Sequence, residues 1–150
     1  MLTLAQLAVL KTELLTDPNG YGYAPLIADT NNPALAELVN RSRAAIQMPR
    51  PDVTPLEILE AIAVEDFVTS QTVLMGSWFE SLTQFPSIRI LKENGTDARV
   101  MSNIMKVLKN GTASETRIRA LAVRNGSRAE QLFGVGVTVS VQEVIDAQRI

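Results

Sequence analysis

The sequence predicts a mainly α fold: a compact helical bundle of five to seven helices in a single domain spanning residues 1–150. Three observations lead there. Apolar residues recur at three- and four-residue spacing in one segment after another. Those segments open on helix-capping residues and close on proline or Asn-Gly pairs. The composition, 46% hydrophobic against 20% charged, is too apolar for a disordered chain. At this length about two thirds of the unfolded surface can be buried.

The first helix covers residues 3–15, where Leu2, Leu4, Leu7, Leu10, Leu14 and Leu15, with Ala5 and Ala8, follow helical spacing behind the cap Thr3. It ends before Asp17-Pro18. Residues 17–33 hold three prolines, two glycines and both tyrosines, and read as a long ordered loop. A second helix is expected over 33–46, with Asn32 as cap, Pro33 in its first turn and Leu35, Leu38, Val39 and Ile46 as its apolar stripe. Thr54-Pro55-Leu56-Glu57 is a capping box that opens a short helix. Residues 64–84, with Phe67, Leu74, Met75, Trp78, Phe79 and Leu82, are the candidate central core helix. A further helix spans 97–109 and stops at Asn110-Gly111. Ser114 caps a helical stretch over 114–133, interrupted at Asn125-Gly126-Ser127, so that periodicity fits one kinked helix or two. The alternating VGVTV of 135–139 fits a short strand, and Ser140-Val141-Gln142-Glu143 is a capping box that opens the final helix.

Much chemistry is excluded by composition. There is no cysteine and no histidine, which removes disulfides, thiolate and imidazole ligands, cysteine nucleophiles and the Ser-His-Asp triad. The carboxylate pairs Glu57/Glu60 and Glu65/Asp66 would serve acid–base chemistry or a cation only by converging in one cleft, which spacing alone does not establish. The glycine pairs at 20–22 and 134–136 lack the Gly-Lys-Ser/Thr or third glycine of a phosphate loop. The expectation is therefore no enzyme, no cofactor and no metal. No apolar run approaches a membrane span, and Lys11 follows the N-terminal apolar stretch rather than preceding it, so the chain is expected to stay in the cytosol.

Charge is segregated along the chain. Residues 1–85 carry four basic and ten acidic side chains, whereas 86–130 carry nine basic and four acidic. Such a pattern suits head-to-tail self-association, or a basic 86–130 segment turned towards DNA. Residues 101–128 also resemble a helix-turn-helix, two helices about Asn110-Gly111 with Arg117, Arg119, Arg124 and Arg128 on the second, which makes a DNA-binding regulator the alternative reading.

LKTELLTDPNGYGYAP near the start and GSRAEQLFGVGVTVSVQEVIDAQ near the end resemble a family of small tailed-bacteriophage proteins encoded among virion-structure genes. The resemblance covers about a third of the chain, through the order T-D-P-x-G-x-G-Y and the run R-x-G-S-R-A-E-x-L-F-G-x-G. It implies a virion structural or assembly protein made in the host cytoplasm. The neck is the implied position: a head–tail connector, adaptor or head-completion subunit that forms a homo-oligomeric ring on the portal and meets other neck or tail proteins. Its contacts are expected at Tyr21, Tyr23, Arg117, Arg119, Arg124 and Arg128.

Overall fold

The computed structural model describes residues 1–68, 76 and 80–150. Helix prevails, as expected, beside one two-stranded sheet. In order the elements are α1 (Leu4–Thr16), α2 (Tyr23–Ala28), α3 (Asn32–Asn40), β1 (Ser42–Pro49), α4 (Pro55–Ala61), a 3-10 turn (Val64–Asp66), α5 (Arg99–Val107), α6 (Ala113–Leu121), β2 (Val123–Ser127), α7 (Arg128–Phe133) and α8 (Val141–Arg149). Eight α-helices with both ends among the described residues already exceed the five to seven expected, because the helical segments are shorter and more finely divided than periodicity suggests.

The chain divides into two compact units. One is built from both ends of the sequence, Met1–Ile46 and Asn125–Ile150; the other is the intervening Gln47–Arg124. In the terminal unit, α8 packs on α1 and α3, and α3 also meets α2 and α7. Its core gathers Leu10, Leu14, Tyr23, Leu35, Val39, Val139 and Val144. The central unit packs α4 on α6 around Val53, Ile58, Phe67, Ile88, Ile90, Met101, Ile104 and Ile118. Strands β1 and β2 lie where the chain passes from one unit to the other and back, and pair antiparallel.

Capping explains the well-placed helix starts. Thr3, Thr54 and Ser140 each accept from the backbone N–H three residues on, and Gln6, Glu57 and Glu143 return the bond to the cap backbone. Elsewhere the boundaries differ from expectation for identifiable reasons. The loop at 17–33 contains helix α2. The helix expected over 33–46 ends at Asn40, where Arg43 donates to the carbonyls of Leu38 (2.7 Å) and Arg41 (2.8 Å) and satisfies acceptors the helix leaves open. Pro49 and Pro51 then disfavour helix at the residues before them, and 42–49 pairs with β2 instead. That same pairing turns Asn125-Gly126-Ser127 into strand, so 114–133 is two helices separated by β2.

The strand expected at 135–139 does not form. Gly134 and Gly136 both have positive φ, and the polar backbone groups of Val139 are taken by Asn40, which donates to its carbonyl (2.7 Å) and accepts from its N–H (2.8 Å). Of the expected core helix 64–84, residues 64–66 form the 3-10 turn and Phe67 bridges to Leu108, whereas residues 76 and 80–82 are helical. Leu82 is buried, while 69–75 and 77–79, with Leu74, Met75, Trp78 and Phe79, lie outside the described residues.

Candidate interaction surfaces

The Gly-Tyr segment is a strap folded onto the terminal unit. Asp17 ends α1 in the left-handed region at φ 40°, and its carboxylate accepts from the N–H groups of Tyr21 (2.7 Å), Gly22 (2.7 Å) and Tyr23 (3.3 Å). Burial pushes this carboxyl upward, but the N–H groups outweigh it and hold it below the ordinary aspartate value. Gly20 and Gly22, at φ +66° and +88°, supply the turns that bring those N–H groups round. Tyr23 then enters the core with 0% exposure, and its hydroxyl has no hydrogen-bond partner among the described residues. Burial, and next the Glu13 carboxylate, push this phenol well above the usual tyrosine range. Tyr21 stands edge-on to Tyr23 and lies under the Arg43 guanidinium, 3.9 Å from the ring centre. The loop's dense order of Asp, Gly and Tyr is thus explained by packing within the chain. Tyr23 is not available to a partner.

The four arginines do not form one cluster. Arg117 and Arg119 are on α6, whereas Arg124 is on β2 and Arg128 on α7, so the second helix of the resembled helix-turn-helix carries two of them, not four. Arg117 donates through Nε to the Ala61 carbonyl (2.7 Å) and through Nη2 to Ser114 Oγ (3.1 Å). Arg119 pairs with Asp97 (3.1 Å) and Glu115 (3.0 Å). Arg128 reaches across 115 residues of sequence to Glu13, with Nε to Oε1 at 2.8 Å and Nη2 to Oε2 at 2.5 Å, and both side chains are largely buried. Folding also dissolves the charge segregation: Gln47–Arg124 holds nine basic and nine acidic residues, and the terminal unit five and seven.

The acidic pairs are committed too. Glu57 and Glu60 line one shallow groove with Ala61, Arg117, Ala120 and Leu121. Yet Glu57 accepts from the Thr54 N–H (2.8 Å) and from Arg50 (2.8 Å), which hold its carboxyl down to about 2, so at neutral pH it has no proton to give and is a poor base. Asp66 is kept low by Ser114, whose Oγ donates to it at 2.5 Å while accepting from the Ala63 N–H (2.8 Å). That saturated hydroxyl ties the 3-10 turn to the start of α6 and is not a nucleophile. Among the described residues no group of three or more acidic side chains is placed to hold a metal ion. No helix of the described residues is long and apolar enough to cross a membrane.

What sequence reasoning passed over is the outer face of α1. At 100° per residue, Leu4, Leu15, Ala8, Thr12, Ala5, Thr16 and Val9 fall in one arc of about 140°. All seven are exposed, Leu4 to 69% and Leu15 to 65%. None is charged. Both threonines donate their hydroxyls to carbonyls one turn back, Thr12 to Ala8 (3.0 Å) and Thr16 to Thr12 (2.8 Å). Their hydroxyls are therefore satisfied when water leaves. The leucines alone do not reveal it: at 100° per residue Leu4, Leu7, Leu10, Leu14 and Leu15 fall within one arc of about 140°, so Leu4 and Leu15 read as the edge of the core stripe.

A second apolar patch lies in the central unit. Leu56 (62% exposed) and Leu59 stand one turn apart on α4, with Val64 (81%) just beyond its end. The exposed Glu60 and Glu65 flank them. Comparison with family models, with curated proteins and with solved structures finds no match for this chain.

Proposed function

We propose that this chain is a structural subunit of a tailed-phage particle, a neck protein of the connector, adaptor or head-completion type that assembles as a ring on the portal. The observation that carries this reading is the uncharged, self-satisfied outer face of α1. An exposed arc of uncharged side chains about 140° wide on α1 is the kind of surface that a partner covers, and among the described residues only the opposite side of the helix is buried. A second apolar patch in the other unit supplies what ring formation needs, two different surfaces on each copy.

The two segments that resemble the phage family add support. Glu13 belongs to one and Arg128 to the other, and their ion pair joins them in a single unit. The DNA-binding alternative draws less from the molecule, because Arg117, Arg119 and Arg128 are spent on carbonyls and carboxylates of their own chain. Particles purified from the phage that encodes this chain should contain it in many copies by quantitative mass spectrometry, and the isolated portal ring should retain it. Absence from particles together with no retention by portal would overturn the reading.

A further inference from the structure

Resting on that reading, we infer that the occupant of the α1 outer face is a second copy of this chain, presenting its Leu56, Leu59 and Val64 patch. The contact is head to tail. Three observations select this occupant over a partner of other chemistry or a two-fold α1–α1 contact.

The first is polarity. The arc from Leu4 to Thr16 offers no charge and no hydroxyl proton to donate, so a charged or acceptor-rich partner would be desolvated there with little return. The α4 patch meets it with leucine and valine side chains. The second is the charge at the rims. Lys11 borders the α1 arc beside Leu4 and Leu15, and among the described residues its ammonium donates to the main-chain oxygen of Ile150 (2.8 Å). Glu60 and Glu65 border the α4 patch, with Lys109 reaching the Glu65 carbonyl (2.6 Å), so two carboxylates outweigh one ammonium at its rim. Placing α1 on α4 brings ammonium to carboxylate, whereas α1 on α1 brings ammonium to ammonium.

The third is size. Thirteen residues make a helix about 20 Å long, which presents on the order of 200 Å² of face at a width of about 10 Å. A stable pairwise interface needs about 800 Å² on each partner. One such contact is therefore weak, and it holds only where closure gives every copy two of them. A monomer in exchange with a closed ring is the expected behaviour, with little free dimer.

The absence of cysteine from the chain makes the test clean. Two differently tagged full-length copies, one Ala8→Cys and the other Leu59→Cys, would be co-expressed and treated with a short bifunctional maleimide, with each variant alone as a reference. Head-to-tail contact predicts a product carrying both tags and at least tenfold less product from either variant alone. Product from Ala8→Cys alone would establish a two-fold α1–α1 contact and overturn the inference. Ring-sized oligomers that give neither product would also overturn it, while leaving the assembly reading standing. Monomer throughout, with no retention by portal, would bring down both. As a second arm, Leu15→Asp should raise the concentration needed for assembly at least tenfold while leaving the circular dichroism spectrum unchanged; unchanged assembly would refute the α1 face as the contact.

Discussion

Arg128→Met should destabilise the terminal unit far more than an ordinary ion-pair deletion. Glu13 is left with 3% of its side chain exposed, so water cannot reach it to replace the two bonds that Arg128 makes. Removing one partner of such a buried pair costs about 3–5 kcal/mol, nearly all of it the penalty of an uncompensated carboxylate. For a chain of this size 1 kcal/mol moves the midpoint by roughly 2–4 °C, so a fall of about 6–20 °C is expected. The companion Glu13→Leu/Arg128→Met removes both charges and should recover to within about 1 kcal/mol of the parent, because an apolar pair of similar volume is often no worse than a buried ion pair. Arg41–Glu37, with side chains 59% and 73% exposed, is the internal control, and Arg41→Met should cost under about 0.5 kcal/mol. Thermal and chemical denaturation of the four proteins followed by circular dichroism measure all of this. A cost for Arg128→Met no larger than that for Arg41→Met, or a double variant as damaged as the single, would refute the reasoning.

Three further outcomes follow from the same structure. Tyr23→Phe removes a buried hydroxyl with no partner among the described residues, and should raise stability by about 1–3 kcal/mol in the same assay; a loss of stability would mean that the hydroxyl is bonded. Acid should destabilise the central unit with a definite sign. Glu57 is held from its ordinary 4.5 down to about 2, so its contribution is complete above pH 4.5 and disappears as pH falls towards 2, and Glu57→Gln should flatten denaturation midpoints measured across that window. The depressed carboxyls of Asp66 and Glu115 act in the same direction. Finally, replacing residues 50–122 by Asn-Gly should close β1 and β2 into a hairpin and leave the terminal unit folded, with the helical spectrum and cooperative melting of a small domain; an unfolded product would show that this unit depends on the central one.

The features legible in the sequence were those fixed by neighbours along the chain. Thr3, Thr54 and Ser140 mark helix starts through a bond that closes within four residues, and each was read at its observed place. Features set by distant partners were not legible. Pro49 and Pro51 mark locally where helix stops but not that Ser42–Pro49 is strand, because its strand partner lies some eighty residues away, and VGVTV alternates like a strand only until Asn40 claims the backbone of Val139. The candidate site followed the same division. Tyr21, Tyr23 and the arginines drew attention as residue types suited to interfaces, but Asp17, Glu13 and the Ala61 carbonyl had already engaged Tyr23, Arg128 and Arg117 within the chain. The outer face of α1 was hidden differently: its leucines were counted towards a core that only the opposite face reaches.

On the proposed function, this chain works by joining copies of itself. Sedimentation velocity of the purified full-length protein, from micromolar to several hundred micromolar, measures it most directly. Two boundaries are expected, a monomer and one closed oligomer of fixed size, with the share of the larger rising with concentration and little dimer between them. A single monomer boundary at every concentration, unchanged when portal ring is added, would contradict it.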